Sequence, residues 1–194
     1  MATIKQKPME HIMIDLETLG ILPTAPILQI AACYFDPETG KIGKCFDHVL
    51  DWQTNGYGTI ERETIAWWLI QNKSAGAPLV NRITTPIKWI GAELNEFVKI
   101  EGSAKYIWCT APLTDLGCIK NLYNAYDWKL PWNHRMYRDA RTMIDLARRL
   151  DCPKPKVNGI KHTGMYDCKW AVAGVSAAWQ RIFPEGTEYL GETT

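Results

Sequence analysis

Residues 10–18 read Glu-His-Ile-Met-Ile-Asp-Leu-Glu-Thr, and toward their end apolar and charged side chains alternate. A period of two marks a β-strand, on which side chains two apart share a face. Asp15 and Glu17 therefore emerge together, while Ile14 and Leu16 point into the opposite face. Adjacent like charges repel. A cation neutralises such a pair, and hard carboxylate oxygens suit Mg²⁺ or Mn²⁺; a solvated strand end tolerates the same pair without one.

Working outward, Ile27 to Asp36 and Lys44 to Leu50 are rich in β-formers and are separated by Pro37-Glu38-Thr39-Gly40, a turn sequence. Three consecutive strands are predicted, an antiparallel meander. Glu61 to Lys73 and Pro86 to Ile100 read as helices, the second with Trp89, Ile90, Leu94, Phe97 and Val98 at helical spacing behind a first-turn proline. Lys105 to Cys109 is a short strand, Asp115 to Tyr126 a helix, and Arg135 to Tyr137 an edge strand. Asp139 to Leu150 is a helix with Asp139 as N-cap. Its apolar stripe is Ala140, Met143, Ile144, Ala147 and Leu150, which turns Arg141, Asp145, Arg148 and Arg149 away. The last helix, Thr163 to Ile182, carries Val172, Val175, Trp179 and Ile182 inward. Strands first, then helices alternating with short strands, give an α/β fold with a mixed sheet flanked by helices.

The 194 residues, 46% hydrophobic and 22% charged, suit one compact domain spanning 1–194 and exclude disordered, collagen-like and coiled-coil classes. No apolar run approaches the roughly 20 residues that cross a bilayer. No apolar segment follows the N-terminal lysines as in a secretory signal, so the expected location is cytoplasmic. Six cysteines without CxxC spacing read as reduced thiols, and the four histidines lack the spacing of a structural zinc site. The net charge is +1, yet residues 135–161 hold eight basic side chains against three acidic, either a solvated face or a phosphate-binding one.

Two more segments carry chemistry. Asp115 follows an apolar strand by a short loop, where an α/β sheet presents ligands and where a helix N-cap also stands. His162 and Asp167 flank the start of the last helix, so a loop histidine leans over a carboxylate one turn in; an isolated loop histidine is otherwise a surface residue. Among nine tryptophans, Trp89 and Trp179 lie on apolar stripes and are expected in the core. Trp67 and Trp68 are adjacent on one helix, about 100° apart, and one of them is available to substrate. Trp128 and Trp132, in a loop, are open to either role.

Asp15-Leu16-Glu17-Thr18, Asp115 a hundred residues on, and His162 with four residues before Asp167 together resemble the DEDDh group of DnaQ-like 3'-5' exonucleases, within the ribonuclease H-like superfamily. The likeness runs from about His11 to Gln180 and is greatest to phage and prophage exonucleases. It extends to MIDLETLG, TIAWWL, RDARTMIDLARRL and HTGMYDCKWAVAGVSAAWQ.

The resemblance implies a ribonuclease H-like sheet, and metal ligation by Asp15, Glu17, Asp115 and Asp167 of two Mg²⁺ or Mn²⁺ ions about 3.5–4 Å apart. It implies His162 as general base, apt because an unperturbed histidine, with a pKa of about 6.5, is neutral at pH 7 and still accepts a proton. Thr18 and Leu19 would meet the 3'-terminal nucleotide, Leu19 as a wedge against its base, with Gly20 permitting the turn. Lys161, with Lys154 and Lys156, would contact phosphate, and Trp67 or Trp68 substrate. The implied substrate is a single-stranded nucleic-acid 3' end, DNA favoured by the phage likeness and RNA the alternative, with nucleoside 5'-monophosphate as product. A phage-encoded enzyme would act in the host cytoplasm. A catalytically silent nucleic-acid-binding domain would lose one of the five positions; all five are present. Nothing in the sequence indicates a homo-oligomer.

Overall fold

The computed structural model describes residues 8–51, 58–71, 84–100 and 104–184. The strands are β1 (His11–Thr18), β2 (Ile27–Phe35), β3 (Ile42–Val49), β4 (Tyr106–Cys109) and β5 (Tyr137–Asp139). The helices are α1 (Arg62–Ile70), α2 (Ile87–Lys99), α3 (Asp115–Ala125), α4 (Ala140–Arg149) and α5 (Gly164–Ile182). The sheet order is β3-β2-β1-β4-β5. The first three strands pair antiparallel, and β4 and β5 then add in parallel to β1, so the expected mixed α/β class is the one adopted.

Each face of the sheet has its own core. Ile12, Ile14 and Leu16 of β1 pack with Ile90, Leu94 and Phe97 of α2 and Leu116, Ile119 and Leu122 of α3. Met13 packs on the other face with Ala31 and Cys33 of β2, Ile144 of α4 and Ala171, Val172 and Val175 of α5. All nine residues of β2 are buried, as a central strand covered on both faces requires. Asp15 and Glu17 follow Met13 at steps of two, so this second face runs from core into charge at the carboxyl end of β1. A register shift between Glu17 and Thr18 ends the regular ladder there.

Three local readings change. The edge strand expected over Arg135–Tyr137 starts at Tyr137, behind a 3₁₀ turn at His134–Met136 whose Asn133 side chain accepts from the Arg135 N–H at 2.9 Å. Such a side-chain bond offers the backbone an alternative to the ladder. Trp89 is 54% exposed instead of buried, because Ile87, Ile90, Gly91, Leu94 and Val98 define the inward stripe of α2 and Trp89 lies off it. Ile182 is 37% exposed, and Trp179 is only half-buried against the second core. The helix expected over Glu61–Lys73 ends at Ile70, where Gln71 is extended, and residues 72 and 73 lie outside the described residues. Trp128 and Trp132 both pack against the first core. All six cysteines are free thiols. Among the described residues, no helix is long and apolar enough to cross a membrane.

Candidate active site

Three parallel strands end at one edge of the sheet, and the side chains expected to carry chemistry gather there. Asp15 and Glu17 arrive on β1. Asp115 is the first residue of α3, with Thr114 at the N-cap position, and its Oδ2 accepts from the Ala111 N–H at 3.2 Å. Asp167 lies one turn into α5, where its N–H bonds the Thr163 carbonyl at 3.0 Å. Carboxylate oxygens of Asp15, Glu17 and Asp167 lie within 4.8 Å of one another. All four acids, with His162, line one cleft of about 510 Å³.

These carboxyls cannot all ionise at their ordinary pH. Burial, followed by the charges of Asp115, Glu17 and Asp167, raises Asp15 well above the usual carboxylate range. Burial and the charges of Asp167 and Asp115 push Glu17 up to about 8. Burial raises Asp115 to about 7, against the opposing effects of the Ala111 N–H, the Cys109 thiol and the Arg141 charge. Asp167 is raised by burial, while His162 and Lys161 pull it down. Among the described residues, no lysine or arginine forms an ion pair with any of the four. Crowded, part-buried acids without a counter-ion hold either protons or a cation. An all-oxygen donor set fits Mg²⁺ or Mn²⁺.

His162 has a positive φ of 64°, sparsely populated for a residue with a side chain and characteristic of functional sites. Its backbone N–H donates to the Asp167 carboxylate. The Trp67 ring meets the imidazole edge-on, with centroids 4.9 Å apart. Below it, Gln29 of β2 stands opposite Glu17 in the register. Its Oε1 accepts from the Gly164 N–H at 3.3 Å, and its Nε2 donates to Asp47 at 2.7 Å. A Cβ on Gly164 would come 2.7 Å from Ala31 Cβ, so only glycine lets α5 start this close to the sheet. Neither Gln29 nor Gly164 was legible as a site residue, because each acts through a contact more than a hundred residues away.

A second cavity of about 410 Å³ adjoins the carboxylates and is lined by Leu16, Thr18, Gly20, Ile21, Trp67 and Trp68. Thr18 donates from Oγ1 to the Gly20 carbonyl at 2.6 Å. Trp68 is only 3% exposed and donates from Nε1 to the Thr18 carbonyl at 3.0 Å, whereas Trp67 is 37% exposed. Leu19 is not the wedge expected of it: it is 0% exposed and packs with Leu28 and Trp68. The exposed apolar side chains at this turn are Ile21, which lines the cavity, and Leu22; the Glu61 carboxylate accepts from their N–H groups at 3.2 and 3.1 Å.

The basic cluster is also redistributed. Lys154, Lys156 and Lys161 are exposed and outside the cleft lining, although the Lys161 charge reaches Asp167. Arg141 and Arg148, expected to face elsewhere, line the cleft with Trp170. Their placement follows from how the elements dock. Asp139 ends a strand parallel to β4, which places the first turn of α4 beside the Asp115 loop, and Trp170 stands three residues after Asp167 on one helix face.

The sequence matches the 3'-5' exoribonuclease Rv2179c-like domain family over residues 10–179. No curated protein matches it. Among solved structures, the nuclease domain of 3'hExo, a DEDDh family member bound to rAMP, superposes with a TM-score of 0.59 at 12% identity, covering 89% of this chain and 92% of that one. E. coli Exonuclease I in complex with a dT13 oligonucleotide gives 0.60 at 16% identity, covering 88% of this chain and 41% of that one. Cell-death related nuclease 4 gives 0.52 at 14%, covering 90% and 65%. At these identities the likeness is one of fold, the ribonuclease H-like sheet shared by DEDDh exonucleases. The family match spans most of the chain and includes the positions of Asp15, Glu17, Asp115, His162 and Asp167, so the chain belongs to the 3'-5' exoribonuclease Rv2179c-like domain family and is a 3'-5' exonuclease.

Proposed function

We propose that the chain removes nucleoside 5'-monophosphates one at a time from the 3' end of single-stranded RNA, with Asp15, Glu17, Asp115 and Asp167 as metal ligands and His162 as general base. The observation that carries this reading is the group of four crowded acids, raised in pKa and with no ion-paired lysine or arginine among the described residues, in one cleft with a histidine held in a strained backbone.

Bound there, Mg²⁺ or Mn²⁺ ions would supply a lowered pKa for a water molecule and charge stabilisation at the phosphoryl oxygens. The imidazole of His162 takes the proton of the attacking water. That water's oxygen bonds to phosphorus, and the bond from phosphorus to the preceding nucleotide's 3'-oxygen breaks, the oxygen keeping the electron pair and taking a proton from solvent to become the new 3'-hydroxyl. His162 shares the cleft with the four acids, and the edge-on Trp67 ring packs against its imidazole there. The apolar cavity beside Thr18, Ile21 and Trp67 suits the departing nucleoside, whose base and sugar are the least polar parts of the substrate.

The family's stated activity on RNA supports RNA as the polymer, whereas the phage likeness of the sequence favours DNA. Matched 5'-labelled RNA and DNA strands, incubated with Mg²⁺, Mn²⁺ or EDTA, separate the two. The expected result is a metal-dependent ladder shortening from the 3' end, faster on RNA, and lost in Asp15→Asn and His162→Ala. A faster ladder on DNA would reverse the polymer assignment, and the absence of any ladder with metal present would overturn the reading.

A further inference from the structure

Glu17 lines both cavities; the mechanism above places the departing nucleoside in the apolar one and uses only the acid and histidine end of the larger cleft. The larger cleft continues from the acids along α4, with Arg141, Asp145 and Arg148 of α4 and Trp170 of α5 in its wall. An anionic polymer approaching four carboxyls needs compensating positive charge. Among the described residues, these two arginines are the ones lining that approach.

Their position follows from the sheet. Cys109 at the end of β4 stands opposite Asp139 at the end of β5, so α4 begins beside the loop leading to Asp115. Asp139 caps the helix by accepting from the Arg141 N–H at 2.8 Å, which fixes the first turn and the root of the Arg141 side chain. The Arg141 charge reaches Asp115. Arg148 is two turns on, about 10 Å further along the axis. It pairs with Asp145 at 2.6 Å, but both partners are more than half exposed, at 65% and 54%, so a phosphate can compete for the guanidinium. Trp170 is half-buried one turn beyond Asp167, with part of its indole on the cleft wall.

Resting on the exonuclease reading, we propose that Arg141, Arg148 and Trp170 form an upstream subsite for the nucleotides 5' to the scissile bond. Arg141 holds the first phosphate upstream, Arg148 a later one, and Trp170 stacks on a base between them. Planar guanidiniums bind phosphate oxygens in pairs, and an indole face accepts any base, so the subsite reads backbone and not sequence.

The test uses the full chain with Mg²⁺ and three substrates: a dinucleotide without a 5'-phosphate, the same dinucleotide with one, and a 5'-labelled hexamer. Arg141→Ala should raise KM about tenfold on the phosphorylated dinucleotide and the hexamer, a loss within the range of one charged phosphate contact, with a much smaller effect on the unphosphorylated dinucleotide. Arg148→Ala and Trp170→Ala should show their losses on the hexamer alone. On the hexamer, each arginine variant should flatten the dependence of log(kcat/KM) on log salt by about 0.7. Arg149→Ala, exposed on α4 outside the cleft lining, is the control expected to match wild type. Equal losses on all three substrates for the arginine variants, or an unchanged salt slope, would overturn the subsite while leaving the exonuclease reading intact. Wild-type protein that cleaves none of the substrates would overturn both.

Discussion

Replacing Glu17 by Gln removes one of four crowded charges with almost no change in volume, and it should stabilise the metal-free protein while abolishing cleavage. Burial and the charges of Asp167 and Asp115 raise this carboxyl from 4.5 to about 8. A folded state that holds a proton more tightly than the unfolded chain is favoured at low pH and loses that advantage as pH rises from the unfolded to the folded value. For a single group shifted from 4.5 to about 8, the loss at pH 8 reaches about 4 kcal/mol. Asp15 and Asp115 are raised by the same crowding, and deleting one charge relaxes the others while their own penalty remains, so about 2 kcal/mol is the expected gain. With a urea m-value of about 2 kcal/mol/M for a chain of this size, the midpoint in EDTA should rise by about 1 M at pH 8 and change little at pH 5. Saturating Mg²⁺ should reverse the order, because wild type gains about 2.7 kcal/mol at a hundredfold excess over Kd and the variant loses much of that affinity. A variant less stable than wild type at pH 8 in EDTA would mean that Glu17 is a satisfied charge and the cluster an ordinary polar network, contrary to the crowding inferred for it.

Other substitutions test how the site is held. Gly164→Ala puts a Cβ 2.7 Å from Ala31 Cβ, so the start of α5 must move, with an expected loss of about 1–3 kcal/mol in urea unfolding and a fall in kcat larger than any change in KM. Gln29→Leu removes the bonds to Gly164 and Asp47; about 1–3 kcal/mol should be lost where buried partners are left unpaired, again with kcat falling more than KM. Leu19→Ala should cost about 2–5 kcal/mol in thermal or urea unfolding. Ile21→Ala, at a side chain 72% exposed, should leave stability near wild type and raise KM if the apolar cavity receives the terminal nucleoside.

The legible parts of this fold are those where one residue's neighbours along the chain decide its fate. The Asp15/Glu17 alternation, the turn at Pro37 to Gly40, the N-cap at Asp139 and the stripes of α2 and α4 are local patterns, and each element forms near its expected place. The start of β5 was missed because Asn133 caps a 3₁₀ turn ahead of it, a side-chain choice that strand propensity ignores. Trp89 was assigned inward because bulk and helical spacing suggested it, yet α2 turns the stripe through Ile90 and Leu94 to the core. Around the site, the four acids and His162 could be named from the sequence. Their supports could not: Gln29 reaches Gly164 across 135 positions, and the cleft-facing side of α4 is decided by where β5 docks on β4. Leu19 was placed at the substrate because it follows the acids; the backbone turn at Leu19 instead directs it under Trp68 and leaves Ile21 outside.

The proposed chemistry requires the four crowded acids to form a divalent-cation site. Calorimetric titration of the metal-free protein with Mn²⁺ at pH 7.5, for wild type and Asp15→Asn, tests this most directly. Saturable binding to wild type, accompanied by proton release because ligands raised in pKa must deprotonate, and lost or strongly weakened in the variant, is the predicted result. The same weak binding to both proteins, without proton release, would contradict it.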